Sequence, residues 1–510
     1  MKMDWNTMLS YHWGTMMPEF VILGTAMALS ILDLFWPKHF NRRKLAWLAL
    51  TGIILAFFSL ISLFSFETVS ILSDTFRLDS FAKAFKLILL LGAGLIILLA
   101  ESYEPKEGLK EHRGEFYYLF LAALLGAMIM TSSGDLITLF VGLELLSLSS
   151  YILSGIRKQN TKSNEAAMKY VINGGISTAI TLFGMSYLYG VTGSVNLGEM
   201  SRTMAGMTDG QLLYITGLAF FMVFIGLSFK IAATPFHMWA PDVYEGAPTP
   251  VTAFLSVISK TAGFVILLRI FLSLFLTAPG DTLGAFDFFE KNSGYIALVS
   301  AVTMIVGNVI ALRQQNLKRL FAYSSIAHAG YLLVAVTTLG GGYFLMDTVW
   351  FYLLAYTLMN IGAFAIIQVL SIRSGSEDIS ILAGLGKKSP YLAIAFTVFI
   401  LSLAGIPGTA GFIGKLNIFL GAFITEPGHY VLAGIMIAAT IVSYVYYFGL
   451  LVQVFFRPDH SGKLIKVRSG LSIVIMVCIG GTILFGLAPN LAFDFLHNHF
   501  GDFKDFISSE

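Results

Sequence analysis

The stretch that decides the fold is LLYITGLAFFMVFIGLSFKIAATPFHMW, residues 212–239. It is longer and more apolar than a membrane-spanning helix requires, since such a helix takes about 20 residues. It nevertheless contains a lysine, Lys230, and a proline, Pro235. Proline removes a backbone donor and clashes with the preceding turn, so the freed backbone groups must be satisfied by protein or by water in a cavity. We therefore expect a discontinuous membrane-spanning helix beside a polar interior.

The overall composition indicates a membrane protein. Of the 510 residues, 56% are hydrophobic and only 12% are charged, whereas a soluble protein carries about 25% charged residues. A water-soluble fold of this composition would expose large apolar patches, which soluble monomers rarely do. The single cysteine, Cys478, excludes an internal disulfide, and the 49 glycines follow no collagen-like period. We therefore predict an all-α polytopic membrane protein.

Apolar runs between polar breaks predict about fourteen transmembrane helices. Two runs are longer than one span needs, and each is interrupted, by Pro235 in the first and by Pro407 and Gly408 in the second. We therefore expect the seventh and twelfth helices to be discontinuous. The predicted spans are 17–36, 45–66, 82–101, 115–133, 135–156, 168–190, 212–239, 249–277, 295–312, 320–340, 345–370, 390–422, 430–455 and 470–489.

Lysine and arginine are distributed unequally between the two sides of the predicted bundle. With fourteen spans, both termini lie on one side. The connections on the opposite side carry 21 of the 32 basic residues, against seven on the side of the termini and four within spans. Because cytoplasmic loops are enriched in Lys and Arg, we expect both termini to lie on the outer side of the membrane.

Four basic residues lie well inside predicted spans: Lys230, Lys260, Arg269 and Lys415. Lys83, Lys86 and Lys169 are near the ends of their predicted spans and are counted with the adjacent connections, the first two with the outer ones. Arg269 is near the outer end of its helix, and we expect its charge to reach toward water. Lys230, Lys260 and Lys415 are far from either end, where a lysine costs about 2.5–3.5 kcal/mol on insertion scales and usually marks an ion or proton path. One such lysine could anchor two helices in an ion pair, but three on three helices favour a proton path.

Polar side chains accompany these lysines. Glu144 is predicted to be the one carboxylate deep in a span, and we expect it to modulate the protonation of Lys230. Burial lowers the pKa of an amine and a nearby carboxylate raises it, so a moving carboxylate can make an amine exchange its proton near neutral pH. Hydroxyls and imidazoles can hold water between titrating groups. The supporting residues, grouped by the helical face that they are expected to share, are Ser147 and Tyr151 with Glu144, Thr234 and His237 with Lys230, Ser256 and Ser259 with Lys260, and Ser324, His328 and Tyr331 on the tenth helix.

Two pairs of these residues suggest an internal repeat. Lys230 and Lys415, on the two broken spans, are 185 positions apart, and Glu144 and His328 are 184 apart. An offset of five spans gives the second copy the opposite topology, as in many ion-coupled transporters. We therefore predict two inverted five-helix repeats. The predicted domains are an N-terminal three-helix segment at 1–114, a first repeat at 115–277, a second repeat at 295–455, and a C-terminal helix with an outer tail at 456–510.

Five stretches of the sequence resemble the antiporter-like membrane subunits of respiratory complex I, the proton-pumping NADH–quinone oxidoreductase, and the bacterial N subunits most closely. They run from the first to the twelfth span, and the block FKIAATPFHMWAPDVYEGAPTP is highly specific. Gly408 is a departure, since the family often has a second proline there. The stretches are MPEFVILGTAMALSILDLF (17–35), SSGDLITLFVGLELLSLSSYIL (132–153), FKIAATPFHMWAPDVYEGAPTPVTAFLSVISKTAGF (229–264), NLKRLFAYSSIAHAGYLL (316–333) and LSLAGIPGTAGFIGKLNIF (401–419).

This resemblance implies a proton path through Glu144, Lys230, Lys260 and Lys415. A lysine on helix twelve fits subunit N better than the neighbouring subunit M. The resemblance also implies that this chain is a subunit of a proton-translocating oxidoreductase of the bacterial cell membrane and has no redox cofactor or metal of its own. NADH, flavin, iron–sulfur clusters and quinone are expected in other subunits. The expected partners are the other membrane-arm subunits, the lipid bilayer and, through the complex, quinone, and no nucleic acid.

Two alternatives remain open from the sequence. A subunit of a multisubunit sodium/proton antiporter would share the glutamate of helix five and the lysine of helix seven, although the stretch MPEFVILGTAMALSILDLF favours the complex I subunit. A purely structural membrane scaffold would use the lysines only to hold helices together. The seventh connection, with Asp242 and Glu245 and no basic residue, is unusual for a cytoplasmic loop. It could contact a neighbouring subunit, or it could simply cap a helix.

Overall fold

The structure is a computed structural model of the chain. Within the described residues, thirteen helices are long and apolar enough to cross a membrane. Two shorter apolar helices, Pro390–Ala404 and Ala410–Ile424, form the halves of one further span, which confirms a polytopic all-α membrane protein of about fourteen spans. The described residues are 10–37, 40–104, 112–276, 278, 287–341, 346–426, 428–458, 467–501 and 503–507. Residues 1–9 and 508–510, at the two termini predicted to lie outside the membrane, are not among the described residues.

The N-terminal segment consists of three long helices and a small hairpin. The hairpin joins the second helix to the third, and its strands pair antiparallel with Val69 opposite Leu78. Asp79 then begins the third helix by accepting a hydrogen bond from the backbone N–H of Ala82 at 2.7 Å. The elements are a 3₁₀ turn (Trp13–Met16), α1 (Met17–Phe35), a 3₁₀ turn (Arg42–Lys44), α2 (Leu45–Ser62), β1 (Val69–Ile71), β2 (Phe76–Leu78) and α3 (Ser80–Glu101).

Two series of five segments follow, and the fourth segment of each is broken. The first series comprises α4 (Arg113–Thr131), α5 (Leu136–Ser154), α6 (Thr161–Thr192), a short α7 (Leu197–Ala205), the broken pair α8 (Gly210–Lys230) and α9 (Trp239–Gly246), and α10 (Thr249–Ile270) with a π-helical turn (Phe271–Phe275). The second comprises α11 (Asp287–Ala311), α12 (Leu317–Thr337), a 3₁₀ turn (Thr338–Gly341), α13 (Met346–Ser374), a 3₁₀ turn (Ile379–Leu382), a short α14 (Leu385–Lys388), the broken pair α15 (Pro390–Ala404) and α16 (Ala410–Ile424), and α17 (Tyr430–Phe456).

The chain ends with α18 (Ser469–Leu487), α19 (Asn490–Phe500) and α20 (Lys504–Ile507). Three helices lie at the centre of the bundle: every residue of α10 is buried, and almost every described residue of α12 and α13 is buried as well. The outer helices α1, α2, α6 and α17 instead leave many large apolar side chains exposed, as expected for surfaces that face lipid. Polar groups on α10, α12 and α13 are therefore the ones that the fold removes from both lipid and water.

The two series begin with the same hydrogen-bond pattern. Leu136 N at the start of α5 donates to Val195 O after α6, at 3.0 Å. Leu317 N at the start of α12 donates to Glu377 O after α13, at 2.8 Å. The donors are 181 positions apart (136 to 317) and the acceptors 182 (195 to 377). This agreement supports a repeat with a structural offset slightly shorter than the one read from the lysines.

The shorter offset changes which residues are equivalent. Counting 181 positions from Glu144 leads to Ser325, about one helical turn before His328. Lys230 is the last residue of α8, before its break, whereas Lys415 lies in α16, after its break. The two lysines therefore do not occupy equivalent positions, because the two breaks lie at different points of their segments. The spacing of about 185 positions between these pairs therefore differs from the spacing of 181 to 182 positions between the two backbone hydrogen bonds.

The first break begins earlier than its proline. Helix α8 ends at Lys230, and Ala232 has a left-handed φ of 58°. A proline ring at 235 clashes with the carbonyl four residues earlier and disfavours helix at the residue before it, so the helix ends ahead of Pro235. Thr234 and His237 lie in this non-helical segment. The expectation that they share a helical face with Lys230 is therefore wrong, although the expected discontinuity is present.

The second break spans the residues between Ala404 and Ala410. Gly405 and Gly408 have left-handed φ values of 81° and 88°, which glycine adopts at no steric cost. A Cβ on Gly405 would also lie 2.9 Å from Cδ of Lys415. Both the backbone conformation and the close approach of the lysine stem therefore require glycine at 405, and glycine at 408 fits the turn that a second proline could not form, since proline holds φ near −65°.

Candidate functional site

Lys230 lies where the first series is interrupted. Its amine is buried and donates a hydrogen bond to Ser147 Oγ of α5 at 3.1 Å. A Cβ on Gly263 would lie 3.2 Å from Cγ of Lys230, so the lysine stem packs directly against α10. Gly263 is one turn beyond Lys260 on that helix. The end of α8 thus brings the first lysine against the helix that carries the second.

Glu144 lies on α5, one turn before Ser147. Its side chain is half-buried, and its Oε1 accepts a hydrogen bond from Thr178 Oγ1 of α6 at 2.9 Å. Within the described residues it forms no ion pair with Lys230, whose amine contacts Ser147 instead. Glu144 therefore lies one helical turn from the serine that binds the Lys230 amine, without a direct contact to that amine.

Lys260 lies in the fully buried helix α10. Its amine donates to both the backbone oxygen and the hydroxyl of Ser325 on α12, each at 2.5 Å. The same hydroxyl accepts a hydrogen bond from Tyr356 OH at 2.8 Å and lies 3.3 Å from Tyr244 OH. Ser325 therefore joins the lysine to two phenols at the centre of the bundle. The predicted partners Ser256 and Ser259 are buried on the same helix but do not bind the amine.

His328 lies one turn beyond Ser324 on α12 and is almost fully buried. Its Nδ1 is 2.5 Å from Tyr352 OH, and its Nε2 is 3.2 Å from Tyr447 OH. Tyr447 OH in turn lies 2.5 Å from Ser324 Oγ. Both ring nitrogens thus have phenol partners, so the imidazole can pass a proton from one side to the other through its two nitrogens.

Lys415 binds the end of the helix before its own break. Its amine donates to the carbonyl oxygens of Leu403 at 2.8 Å and Ala404 at 3.1 Å, two of the last carbonyls of α15, which lack helical partners. The amine also lies over the ring of Tyr331, 4.7 Å from its centroid. The Tyr331 hydroxyl accepts a hydrogen bond from Asn308 Nδ2 at 3.2 Å.

These contacts form a series across the bundle. The His328 ring lies 5.3 Å from the Tyr356 ring and 5.5 Å from the Tyr331 ring, between centroids. Polar groups therefore succeed one another from Lys260 through Ser325 and Tyr356 to His328, and then through Tyr331 to Lys415. We call this set, together with Lys230 and Ser147, the buried polar series. It draws on both halves of the chain.

Thr234, His237 and Tyr151 do not hydrogen-bond to a lysine amine of this series within the described residues. The backbone N–H of Thr234 donates to Thr303 Oγ1 of α11 at 2.9 Å. Thr234 therefore helps to hold the break against α11 and does not bind a lysine. His237 is buried in the same non-helical segment. Tyr151 packs edge-on against Tyr170, 4.7 Å between ring centroids. Pro235, Pro407 and Gly408 contribute by ending helices.

The sequence reading did not select Ser325 and Tyr356 of the series. It also did not select the residues that hydrogen-bond to the series or to its neighbours: Asn308, Tyr244, Tyr352, Tyr446 and Tyr447. Their only sequence signal is a polar group in an otherwise apolar helix, and buried tyrosines usually find a hydrogen-bond partner. That signal does not distinguish a tyrosine facing the series from one facing lipid, because both occur on the same apolar helices.

The structure corrects the assignment of other buried charges. Arg269 does not extend toward water: it is buried and pairs with Asp79, 2.9 Å from Nη2 to Oδ2. Glu144 is half-buried, whereas Glu19, in the first turn of α1, is buried in an ion pair with Lys86 on α3. Lys86 belongs to a helix, not to the outer connection where it was counted. A buried cation needs a partner, and these carboxylates supply it.

Comparison with known proteins first gives a family and a fold. Residues 133–442 match the family described as NADH:quinone oxidoreductase/Mrp antiporter, TM. A chain of the Mrp complex from Dietzia sp. DQ12-45-1b is similar with a TM-score of 0.78 at 19% identity, covering 98% of this chain and 100% of that one. A chain of respiratory complex I from Thermus thermophilus with bound aureothin has a TM-score of 0.77 at 32% identity, covering 94% and 99%. The fold is thus common to both kinds of complex.

Sequence identity distinguishes between a subunit of the Mrp complex and a subunit of respiratory complex I. The NADH-quinone oxidoreductase subunit N of Geobacillus sp. (strain WCH70) is 60% identical over 494 residues, which cover 97% of this chain and all of that relative. The chain belongs to the N subunits of NADH–quinone oxidoreductase. It is an antiporter-like membrane subunit of this proton-pumping complex, as the sequence resemblance predicted. The matched family range includes all four residues predicted to carry protons, from Glu144 to Lys415.

Proposed function

We propose that subunit N conducts protons along the buried polar series, between Lys230 and Lys415. The observation that carries this proposal is a difference in pairing. Within the described residues, Lys230, Lys260 and Lys415 bind only hydroxyl or carbonyl oxygens. Three other buried cations have carboxylate partners instead: Lys86 has Glu19, Arg269 has Asp79 and Lys318 has Glu377. The buried Lys83 and Arg113 bind carbonyl oxygens as well, but they lie in the first turns of α3 and α4, at the ends of their spans.

This difference favours proton exchange over scaffolding. Removing one partner of a buried ion pair leaves an uncompensated charge and costs about 3–5 kcal/mol, so paired cations stay paired. An amine held by neutral oxygens can instead release its proton and keep at least part of its hydrogen bonding. An ion pair that anchors two helices is the arrangement at Lys86 and Arg269, and none of the three lysines of the series forms one within the described residues.

The groups between the lysines suit proton transfer. Serine and tyrosine hydroxyls each donate one hydrogen bond and accept others, and histidine can do both through two nitrogens. Moving one charge across 100 mV takes about 2.3 kcal/mol, and one unit of pKa change corresponds to about 1.36 kcal/mol. An alternating change of about two units at a lysine therefore supplies enough energy for one such step at that potential.

Glu144 is proposed to supply the alternating field at Lys230. We expect Glu144→Gln and Glu144→Ala each to lower coupled proton pumping several-fold, because both remove the charge beside Ser147. Glu144→Gln retains an oxygen that can accept from Thr178, which separates charge from local structure. The measurement is proton uptake by sealed vesicles that contain the assembled complex. Glu165→Gln, an exposed change on α6, is the matched control, and normal pumping in both Glu144 variants would exclude this residue.

The rest of the reaction is assigned to other subunits. We infer that NADH oxidation, flavin, iron–sulfur clusters and quinone reduction belong to those subunits, and that the contacts of this chain are with other membrane-arm subunits and lipid. The similarity to N subunits of NADH-quinone oxidoreductase and to a chain of respiratory complex I supports an assembly of this kind. In this proposal the chain responds to electron transfer by moving protons and takes no part in redox chemistry.

The chain is proposed to lie in the bacterial cell membrane with both termini outside, in the four parts 1–114, 115–277, 295–455 and 456–510. The excess of basic residues on the opposite connections supports this orientation, and the matching starts of α5 and α12 support the repeat boundaries.

We expect a cysteine added after Glu510 to react with a membrane-impermeant maleimide in intact cells. Cys478 is buried and is the only native cysteine, so it contributes little background. Lys158→Cys, on an exposed residue of a basic connection, is the matched control and should react only after permeabilisation. The opposite labelling pattern would reverse the proposed orientation.

A further inference from the structure

The acidic segment α9 is held by cations from both series. Arg319 Nη1 on α12 lies 2.6 Å from Asp242 Oδ1 and 3.0 Å from Glu245 Oε2. From the other side, Lys169 on α6 lies 2.5 Å from Asp242 Oδ2, and Lys162 on α6 lies 2.7 Å from Glu245 Oε1. The acidic connection that the sequence left open is therefore paired within the chain. We call Arg319, Asp242 and Glu245 the α9 bridge.

The two sides of α9 are not equivalent. The Lys162 side chain is 67% exposed and the Lys169 side chain 41%, whereas that of Arg319 is 28% exposed. Exposed ion pairs contribute about 0–1 kcal/mol, because water and salt screen them. One guanidinium nitrogen that contacts two carboxylates in a more enclosed position holds them more firmly. The contact from the second series is therefore the stronger constraint on α9.

A second contact from the same turn of α12 reinforces the first. The buried Lys318 amine donates to the backbone oxygen of Ala247, directly after α9, at 2.8 Å, and it also pairs with Glu377 at 2.5 Å. The start of α12 thus holds both the acidic side chains of α9 and the turn that leads into α10.

The position of Arg319 runs against a local rule of helix stability. A cation in the first turn of a helix interacts unfavourably with the helix dipole, by about 0.3–1 kcal/mol. Arg319 and Lys318 both lie in the first turn of α12, so tertiary pairing with α9 offsets an unfavourable local placement. Departures of this kind are expected at functional positions.

We propose that Arg319 is a positioning residue for proton transfer, which keeps the broken segment of the first series in register with α12. This inference rests on the proposed function of the buried polar series. Helix α9 is joined through the break to Lys230 on one side and through a short turn to the helix of Lys260 on the other. Along the axis of α12, which rises about 1.5 Å per residue, Ser325 lies about 9 Å and His328 about 13 Å beyond Arg319. The α9 bridge therefore fixes how the lysines of one series meet their partners on the other.

The bridge stays charged under physiological conditions. Although burial raises the pKa of Asp242, hydrogen bonds from Lys169 and Arg319 lower it below its ordinary value of 3.8. Burial likewise raises the pKa of Glu245, and hydrogen bonds from Lys162 and Arg319 lower it below its ordinary value of 4.5. Because both pKa values are lowered on folding, the contribution of the bridge is complete above those ordinary values and is lost only as the pH falls through the lowered ones. The bridge is a constant support, not a switch near neutral pH.

The test compares Arg319→Gln with Lys162→Ala in the assembled complex. Arg319→Gln is expected to lower the number of protons pumped per electron about fivefold or more, at the lower end of usual couplings between sites, with normal assembly and normal electron transfer in uncoupled membranes. Lys162→Ala removes an exposed partner of the same Glu245 and is expected to pump normally. Arg319→Lys, which can hold one carboxylate, is expected to restore part of the loss.

Three outcomes decide the inference. Normal pumping by Arg319→Gln overturns it, and so does an equal loss in Lys162→Ala, since that would indicate a general effect of surface charge. If Arg319→Gln does not assemble, the double variant Asp242→Asn and Glu245→Gln decides in its place, and normal pumping there also overturns the inference. Lys230→Ala is measured in parallel: if it pumps normally, the proposed function itself fails, whereas a loss in Lys230→Ala with normal Arg319→Gln removes only the positioning role.

Discussion

Lys230→Ala is expected to reduce coupled proton pumping by the assembled complex about tenfold or more. A tenfold loss is a minimum, because a positioned proton-transfer group usually contributes more than that to the rate. The variant removes the amine that binds Ser147 Oγ and leaves the hydroxyl without its donor. It also removes the titratable amine at the last residue of α8, where the break begins. The measurement is the initial rate of NADH-driven proton uptake by sealed vesicles, normalised to the amount of assembled complex.

A matched control separates charge from packing. Lys230→Met keeps much of the side-chain volume that packs on Gly263 but has no titratable group, so it is expected to lose as much pumping as Lys230→Ala. Lys158→Ala removes an exposed lysine of the same chain and is expected to pump normally. Full pumping in Lys230→Met would contradict a proton-carrying role for this residue, whatever its effect on stability.

Lys415→Ala is expected to have a comparable effect on pumping and an additional effect on stability. Its amine binds the carbonyl oxygens of Leu403 and Ala404 at the end of α15. Leaving a buried acceptor unsatisfied costs about 1–3 kcal/mol, so the break in the second series should become less stable as well as less conductive. The measurements are proton uptake in sealed vesicles and the thermal stability of the purified complex.

The two effects can be separated with Lys415→Arg. Arginine keeps a donor for the carbonyls of α15 but stays protonated at any physiological pH. We therefore expect stability close to that of the unmodified protein together with pumping as low as in Lys415→Ala. Normal pumping in both variants would end the proposed path at His328, before Tyr331 and Lys415.

The three lysine amines find their hydrogen-bond acceptors within the protein in different ways. The amines of Lys230 and Lys415 lie at breaks, where backbone oxygens and nearby side chains are free to accept hydrogen bonds, whereas Lys260 lies in an unbroken helix and reaches a neighbouring one. In lipid, such acceptors exist only inside protein. The second break thus supplies the carbonyl acceptors of Lys415, whereas Lys230, at the start of the first break, binds a serine of the unbroken helix α5.

Much of this protein was readable from the sequence because its signals are local. Hydropathy over about 20 residues places the spans, Pro235 and Pro407 mark the breaks, and the cost of a charge in lipid marks Lys230, Lys260 and Lys415. These inferences need no knowledge of which helices touch, and the structure bears out the spans and both discontinuities. Only the exact start of the first break was misplaced, because a proline acts on the turn before it.

Pairing between distant residues was decided only by the tertiary structure. Arg269 meets Asp79 across 190 positions of sequence, and Arg319 meets Asp242 across 77. The buried polar series forms only when α10, α12, α13 and α17 pack side by side, because that packing brings Ser325, the tyrosines and His328 into contact. Whether an amine in the membrane is held by a carboxylate or by neutral oxygens depends on distances of a few ångströms between separate helices, and the order of residues along a single chain does not contain those distances.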